Sequence, residues 1–351
     1  SVAHALREQY PDSELMAYNY YITKPHPRLE LAAMDGILDE ITTDLADFAD
    51  CDCIFLCAPV IKNIAYLDKL LPYLSKDCLL TDVGSVKSDI LAAVKEHGLC
   101  EQFVGGHPMT GSEKTGYESS TDHLLENAYY IITPTTKSTP EQIDRIREVA
   151  LAIGALPLVL DYHEHDFSVA AISHLPHLVA SSLVNLVHDN DSKDEIMKRL
   201  AAGGFKDITR IASSSPVMWE QICMTNTENI LTLLKRYIAS LESICDTLEH
   251  HDGSAIYRMF EESGKYRSSF PNLGRGPIER DYSFSVDVLD EPGSISVLSA
   301  ILAAKGISVK NMGINHSREE GEGALRISFY KEEQKNEAAS LLKSHNYVLT
   351  K

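Results

Sequence analysis

The chain has 351 residues, a formal net charge of −19 and a hydrophobic share of 44%. This length predicts two or three domains, and the excess of acidic residues argues against nucleic acid or an anionic membrane as a partner. No run of about 20 apolar residues and no signal peptide is visible, and the seven cysteines contain no C-x-x-C pair. These features are typical of a cytoplasmic protein without a metal site.

The first 160 residues alternate short apolar runs with helical patterns, which predicts a Rossmann-like α/β domain with a mostly parallel sheet. A helix is predicted at the start of the chain, in VAHALREQYPD. A dinucleotide-binding unit needs a strand and a glycine-rich turn before that helix, and no G-x-G-x-x-G motif precedes it. We therefore expect domain 1–160 to lack its first strand and phosphate loop. The predicted strands are 15–18, 53–58, 79–83, 103–106, 129–133 and 156–160.

The carboxyl ends of these strands form the edge at which parallel sheets bind ligands. Asn19 stands where NAD-binding units place an acid for the ribose, although an ordinary turn asparagine is an equal alternative, and NADP stays possible. Ser85 either supplies a hydroxyl to the site or caps the next helix. The candidate cofactor contacts are Asn19, Ala58, Pro59, Val60, Asp82 and Gly84.

The stretch GGHPMTGSE follows the fourth predicted strand at the same edge. His107 is the side chain best suited to accept a proton near neutral pH, and Ser112 adds a hydroxyl nearby. A histidine that only caps a turn is the competing interpretation. We expect His107 to be a catalytic base.

Residues 161–265 show apolar residues at helical spacing without a strand signal, which predicts an all-helical second domain. Its long final helix suits a subunit interface, although the same stripe could be internal core. In ISHLPH, His174 and His177 lie one turn apart and could share a face. Interface histidines are the alternative to a functional pair.

A basic cluster lies in GGFKDITRIA. Lys206 and Arg210 are four residues apart on one face of a predicted helix, with Asp207 between them. Arginine binds carboxylates through two parallel hydrogen bonds. This favours a binding site for a small anion over a solvated charged face.

Residues 266–280 are rich in Gly, Pro, Ser and Arg, a composition that is typical of a linker. After it, SFSVDVL alternates like a strand, a DEPG turn follows, and SISVLSAILAAKG reads as a compact helix. The remaining pattern completes a βαββαβ unit over 281–351.

Taken in order, DVGSVK, GGHPMTGSE, SHLPH and GGFKDITRIA resemble the prephenate dehydrogenase family of tyrosine biosynthesis. The resemblance implies NAD-dependent oxidative decarboxylation of prephenate to 4-hydroxyphenylpyruvate. It implies that His107 takes the proton of the ring hydroxyl and that Ser85 bonds this hydroxyl or positions the histidine. It also implies that Arg210 holds a substrate carboxylate in a pocket lined by Lys206, His177 and Ser112, with Asp207 pairing to a basic group.

The C-terminal unit, with its DEPG turn, resembles an ACT domain, a small amino-acid-sensing module. This implies feedback inhibition by tyrosine, with Asp290, Gly293 and Asn311 as regulatory candidates, and a homodimer is expected. Members of the family carry a strand and a glycine loop before the position of Ser1, and this sequence departs from them there. Arogenate (cyclohexadienyl) dehydrogenase activity is an alternative, and a non-catalytic amino-acid-binding protein is an alternative of another class.

Overall fold

The structure is a computed structural model. The chain divides into two compact units, Ser1–Gly276 and Pro277–Lys351. The structure describes residues 2–18, 20–21, 24–25, 27–110, 117, 120, 123–270, 282–288, 291, 293–315 and 323–350.

The first unit begins with alternating helices and strands and continues with helices alone. Its alternating part contains α1 (Val2–Gln9), β1 (Met16–Tyr18), β2 (Tyr20–Tyr21), β3 (Lys24–Pro25), α2 (Pro27–Met34), β4 (Glu40–Thr42), β5 (Cys53–Leu56), α3 (Val60–Leu70), β6 (Leu79–Asp82), α4 (Ser88–Glu96), β7 (Val104–Pro108), β8 (Tyr129–Pro134), α5 (Pro140–Ala152) and β9 (Leu156–Val159). Its helical part contains α6 (Tyr162–Val169), a π-helical turn (Ala170–His174), α7 (Leu175–Asn190), α8 (Ile196–Leu200), α9 (Gly203–Thr209), α10 (Pro216–Thr225), α11 (Thr227–Glu249) and α12 (Gly253–Ser268).

Helix α5 shows how local sequence sets an element. The Thr139 hydroxyl accepts from the Gln142 N–H and the Gln142 side chain accepts from the Thr139 N–H, so two unpaired donors of the first turn are satisfied. Pro140 occupies the first turn, where its missing N–H costs nothing. Gly154 then adopts φ +76°, a conformation that ends the helix.

The strands of the first unit pair mostly in parallel, with two antiparallel pairs, β2 with β3 and β7 with β8. Strand β1 pairs with β4 and β5 with β6, both in parallel, and a parallel bridge from Leu80 to Phe103 brings β7 beside β6. Strand β8 is an exception within the predicted, mostly parallel arrangement, since it pairs antiparallel with β7 and parallel with β9. A parallel neighbour needs a crossover, usually a helix, and the described part of the β7–β8 connection contains 3-10 residues at Tyr117 and His123–Leu125 but no α-helix.

Both faces of this sheet are covered. Leu79 and Leu80 are adjacent in β6, and they belong to two different buried clusters because successive strand residues point to opposite faces. One cluster packs Leu80 with Leu67 of α3 and Ile90 of α4, and the other packs Leu79 with Ile146 of α5. This double burial explains why the strands read as continuous apolar runs.

The helical part departs from the predicted pattern in two places. The predicted long final helix is broken at Asn226, between α10 and α11. Helix α9 ends at Thr209, and Arg210 opens a separate 3-10 turn, Arg210–Ser213. Arg210 keeps helical dihedral angles at this junction, and the shared face of Lys206 and Arg210 stays a prediction.

Within the described residues, one helical stretch, Tyr162–Asn190, is long and apolar enough to cross a membrane by length and composition. A core helix of a soluble protein passes the same test. Here His165, Asp166 and His174 of this stretch are buried and hydrogen-bond to other parts of the first unit. These contacts join the beginning of this stretch to the rest of the first unit.

The second unit has the predicted order of elements. It contains β10 (Tyr282–Val288), α13 (Ser294–Ala304), β11 (Val309–Asn315), β12 (Gly323–Phe329), α14 (Glu332–Ser344) and β13 (Leu349–Thr350). The strands form an antiparallel sheet in the order β11-β12-β10-β13, and buried Val286, Leu298 and Leu342 join the sheet to its two helices. Of the predicted linker 266–280, the first residues continue α12 to Ser268, and 271–280 lie outside the described residues.

Candidate functional site

Two turns of the predicted cofactor edge lie against each other. Ala58, Pro59 and Val60 follow β5, and the Ala58 N–H donates to Oδ1 of buried Asn63 at 3.0 Å. Gly84 follows β6, and a Cβ there would lie 3.1 Å from Cγ2 of Val60 and 2.8 Å from Oδ2 of Asp82. The turn after β6 therefore needs a glycine to reach this close.

Asp82 lies inside the protein rather than at a surface that a cofactor could touch. Its side chain is fully buried, accepts from the Gly84 N–H at 2.9 Å and the Gly106 N–H at 3.2 Å, and pairs with the ammonium of Lys87. Lys87 is also fully buried and donates to the Gly106 carbonyl at 2.7 Å. This ion pair therefore holds both backbone polar groups of Gly106, the residue before His107.

Ser85 is half-buried in the turn between β6 and α4. Helix α4 begins at Ser88, with Lys87 in the N-cap position and no side-chain cap. The interpretation of Ser85 as a helix cap is therefore wrong. Its hydroxyl stays available in the turn that carries Gly84.

His107 lies within β7, which continues two residues beyond the predicted end at 106. Its Nδ1 is 2.8 Å from Nε2 of His165, and the two rings meet edge to face. Burial lowers the pKa of His107 well below its usual value, and the neighbouring His165, Lys87 and His174 lower it further. The imidazole is therefore neutral, the form that accepts a proton.

His165 and Asp166 are functional candidates that the sequence analysis does not identify. Nδ1 of His165 lies 2.8 Å from Oδ1 of Asp166, and both side chains are buried. Asp166 also accepts from the Lys87 N–H and the Ser88 N–H, each at 2.8 Å. The sequence feature that could have pointed to them is HEHD, a run of four titratable residues at the start of α6, directly after the last strand of the sheet.

A second histidine pair lies farther along the same helical stretch. His177 stacks on Trp219 with ring centroids 3.7 Å apart, and His174 meets the same indole edge to face at 5.9 Å. The Asn226 amide donates to Nδ1 of His174 at 3.1 Å and to the Asp166 carbonyl at 2.8 Å. The π-helical turn before α7 places these groups, and such turns occur frequently at functional sites.

The predicted basic residues are exposed. Lys206 and Asp207 lie on α9, and Arg210 opens the following turn. This turn packs against α7, the helix that carries His177. The structure thus places Arg210 on the helical side of the first unit, together with His177 and Trp219.

The remaining candidates are divided by what the structure describes. Asn19, Ser112 and Asp290 lie outside the described residues. In the second unit, Gly293 has φ +97° at the start of α13, and Asn311 is exposed beside an irregularity in β11. Among the described residues, no group of three or more His, Cys, Asp or Glu side chains could hold a metal ion.

Residues of the sheet edge fit the nicotinamide end of a dinucleotide. Gly84 and Val60 pack against each other at the carboxyl ends of β6 and β5, the edge at which parallel sheets bind ligands. His107 stands at the end of the adjacent strand. Ala58, Pro59, Val60 and Gly84 are the described residues that would hold the cofactor at this edge.

Comparisons with known proteins decide which family has this arrangement. A family model described as prephenate dehydrogenase, nucleotide-binding domain, matches residues 2–158, and one described as prephenate dehydrogenase, dimerization domain, matches residues 161–262. The chain belongs to the prephenate dehydrogenase family. The family predicted from the motifs is confirmed, and with it an NAD-dependent oxidoreductase.

Three similar proteins illustrate this membership. Prephenate dehydrogenase of Bacillus subtilis is 34% identical over 346 residues, which cover 98% of this chain and 92% of the relative. A crystal structure of prephenate dehydrogenase from Aquifex aeolicus with hydroxyphenyl propionate and NAD+ is 31% identical, with a TM-score of 0.71 over 76% of this chain and 92% of that one. Arogenate dehydrogenase of Synechocystis is 27% identical, with a TM-score of 0.68 over 77% of this chain and 95% of that one.

Proposed function

We propose that this chain oxidatively decarboxylates prephenate to 4-hydroxyphenylpyruvate, with His107 as the general base. The observation that carries the proposal is the position of His107 at the carboxyl end of β7, beside the Gly84 turn and within hydrogen-bond distance of His165, in a member of this family. NAD, when bound at this edge, supplies the hydride acceptor. NADP is a possible replacement because Asn19 carries no charge to repel a 2′-phosphate.

In this mechanism, His107 takes the proton of the ring hydroxyl while hydride leaves the carbon that bears it. Loss of the proton makes hydride departure easier, and loss of carbon dioxide then leaves an aromatic ring. Ser85, in the turn beside the base, would bond the same hydroxyl. Removing the side chain of a general base typically slows such a reaction about 10²- to 10⁴-fold.

The carboxylates of the substrate would bind on the helical side. Arg210 is the proposed principal contact because a guanidinium fits a carboxylate with two parallel hydrogen bonds. Lys206, His177 and Ser112 would line the pocket, with Asp207 pairing to a basic group at its entrance. His177 supports this role, since its Nδ1 is bound to the Ser173 carbonyl at 2.8 Å and its Nε2 is left for a ligand.

We further propose the division into domains at 1–160, 161–265 and 281–351, with 266–280 as a linker. The match of 161–262 to a dimerization domain supports a homodimer. The βαββαβ order of the second unit supports an ACT domain that senses tyrosine, and regulatory roles for Asp290, Gly293 and Asn311 rest on it. A cytoplasmic location is consistent with this biosynthetic role.

Arogenate is a second candidate substrate. It shares the ring and hydroxyl of prephenate and carries an amino acid side chain in place of the keto acid. The similarity to the arogenate dehydrogenase of Synechocystis favours testing it. The chemistry at His107 would be the same for both substrates.

The test is the formation of reduced nicotinamide, followed by absorbance, with prephenate and arogenate, each with NAD and NADP. Two proteins are measured: the chain of residues 1–351, and the same chain with a strand and a glycine loop added before Ser1. We expect turnover that falls about 10²- to 10⁴-fold in His107→Asn. His188→Asn, which changes an exposed histidine of α7, is the matched control and keeps full activity. Full activity in His107→Asn would contradict the proposal, and tyrosine binding without turnover in any form would favour a non-catalytic sensor.

A further inference from the structure

Three side chains, half-buried His107 with buried His165 and Asp166, form one hydrogen-bonded line that ends at the proposed base. Nδ1 of His107 is 2.8 Å from Nε2 of His165, and Nδ1 of His165 is 2.8 Å from Oδ1 of Asp166. His107 belongs to β7 of the sheet, whereas the other two belong to α6. The line therefore connects the nucleotide-binding and helical parts of the first unit.

The position of each proton in this line follows from Asp166. Burial raises the pKa of this carboxyl, but hydrogen bonds from His165, Ser88 and the Lys87 N–H together hold it below its usual value. The carboxylate is therefore ionised and can only accept hydrogen bonds. Its partner, Nδ1 of His165, must carry the proton, and in a neutral imidazole the other nitrogen is then an acceptor.

The same argument fixes the tautomer of His107. Because Nε2 of His165 accepts, Nδ1 of His107 must be the donor, which leaves the lone pair on Nε2 of His107. This nitrogen has no other hydrogen bond within the described residues. In water, a free imidazole favours the opposite tautomer with the proton on Nε2, so the protein has to impose this one.

We propose that His165 and Asp166 are positioning residues that hold His107 with its proton on Nδ1 and present Nε2 to the substrate hydroxyl. The inference rests on the proposed role of His107 as the base. In the step, the O–H bond of the substrate breaks and an Nε2–H bond forms. The resulting imidazolium keeps its Nδ1–H bond to His165, and the nearby carboxylate of Asp166 stabilises the new positive charge.

The other charged and titratable groups near His107 do not replace this line. Lys87 can only donate, and its ammonium is bound to Asp82 and to the Gly106 carbonyl. His174 accepts from Asn226 at Nδ1, so it is held by a different partner. Only His165 places an acceptor on Nδ1 of His107 within the described residues.

The first measurement reads the tautomer without turnover. The full chain is labelled with ¹⁵N-histidine, and the two-bond ¹H–¹⁵N correlations of His107 are identified as those missing in His107→Asn. We expect the pattern of an Nδ1–H imidazole. A pattern of Nε2–H in the wild-type chain would overturn the proposal whether or not the chain is active.

The second measurement separates positioning from a merely structural role. His165→Leu removes the acceptor, and we expect kcat to fall about 100-fold with KM nearly unchanged. His165→Gln places an amide oxygen near the former Nε2 and should restore part of kcat and the Nδ1–H pattern. His163→Asn, at an exposed position of the same helix, is the matched control and should match the wild-type chain.

The outcomes are distinguishable. Equal kcat values in wild type, His165→Leu and His165→Gln would overturn the positioning role. If His165→Leu does not fold, as judged by its urea unfolding curve, the His165→Gln spectrum decides, and a spectrum with Nε2–H overturns the proposal. An Nδ1–H pattern combined with full activity of His107→Asn would refute the base while leaving the hydrogen-bonded line intact.

Discussion

Gly106, the second glycine of GGHPMTGSE, packs tightly against buried atoms beneath His107. A Cβ at this position would lie 2.6 Å from the Asp82 carbonyl oxygen and 2.6 Å from the hydroxyl of buried Tyr130. One of these atoms is backbone and the other belongs to a fully buried ring, so neither can move aside easily. The glycine pair in the motif is thus explained by packing beneath the base.

We predict that Gly106→Ala lowers the free energy of unfolding by about 1–3 kcal/mol or more, as overpacking in a core does. The matched control is Gly264→Ala in the exposed middle of α12, where a Cβ would meet nothing within 4 Å. The control should gain about 0.5–1 kcal/mol, because alanine favours a helix over glycine. Urea unfolding of both variants checks the pair, and an unchanged midpoint for Gly106→Ala would contradict the packing argument.

Sequence reasoning identifies His107 because its local motif is informative, but it cannot identify the partner. His165 lies 58 positions away in the chain, on a helix whose docking depends on tertiary structure. Lys87 is completely buried, although a lysine is rarely buried and nothing in the local sequence indicates it here. Burial of a lysine follows from the position of Asp82 and Gly106 in the fold, which no local pattern contains.

At the scale of elements, the Asp82–Lys87 ion pair joins the end of β6 to β7 where the two strands do not pair with each other. Strands β6 and β7 are joined by a single bridge at Leu80 and Phe103. Beyond that bridge, the carboxylate and ammonium bind the N–H and the carbonyl of Gly106. The ion pair thereby attaches the turn before α4 to β7.

We predict that Lys87→Met destabilises the chain by about 3–5 kcal/mol, because it leaves the Asp82 carboxylate buried without a counter-charge. The matched control is Lys137→Met, which breaks an exposed pair with Glu101 and should change stability little. Adding Asp82→Asn to Lys87→Met should recover part of the loss, because the uncompensated charge disappears. Chemical denaturation of the four chains measures these differences, and equal losses for Lys87→Met and Lys137→Met would contradict the assignment.

Most elements follow from periodicity, and the exceptions have identifiable causes. The capping residues of α5 can be recognised from local sequence, because Thr139 and Gln142 stand at the spacing of a capping box. The reversal at β8 is not visible, because an apolar strand reads the same in either direction. The break at Asn226 is equally hidden, since it depends on hydrogen bonds to Asp166 and His174.

At the scale of the whole molecule, the second unit has a core of its own. Buried Phe284, Leu298, Ile327 and Leu342 join its sheet and helices without residues of the first unit. The Aquifex aeolicus structure, 92% of which matches only 76% of this chain, indicates that a protein of this family folds over about the length of the first unit. The second unit is therefore suited to an added regulatory role.

We predict that a chain ending at Gly276 keeps dehydrogenase activity and loses inhibition by tyrosine, because the proposed sensor lies in 277–351. Initial rates at increasing tyrosine concentration, for the full and shortened chains, provide the measurement. Circular dichroism and an unchanged KM for prephenate serve as the folding control. If tyrosine still inhibits the shortened chain to the same extent, it binds in the first unit.

The contact between α4 and α6 has a consequence for motion. The carboxylate of Asp166 accepts hydrogen bonds from the backbone N–H groups of Lys87 and Ser88, which joins α6 to the start of α4. The same carboxylate also binds Nδ1 of His165. Any opening that separates these helices also withdraws the acceptor from His107. Under the proposed positioning role, His107 therefore keeps its tautomer only while α6 stays docked on α4.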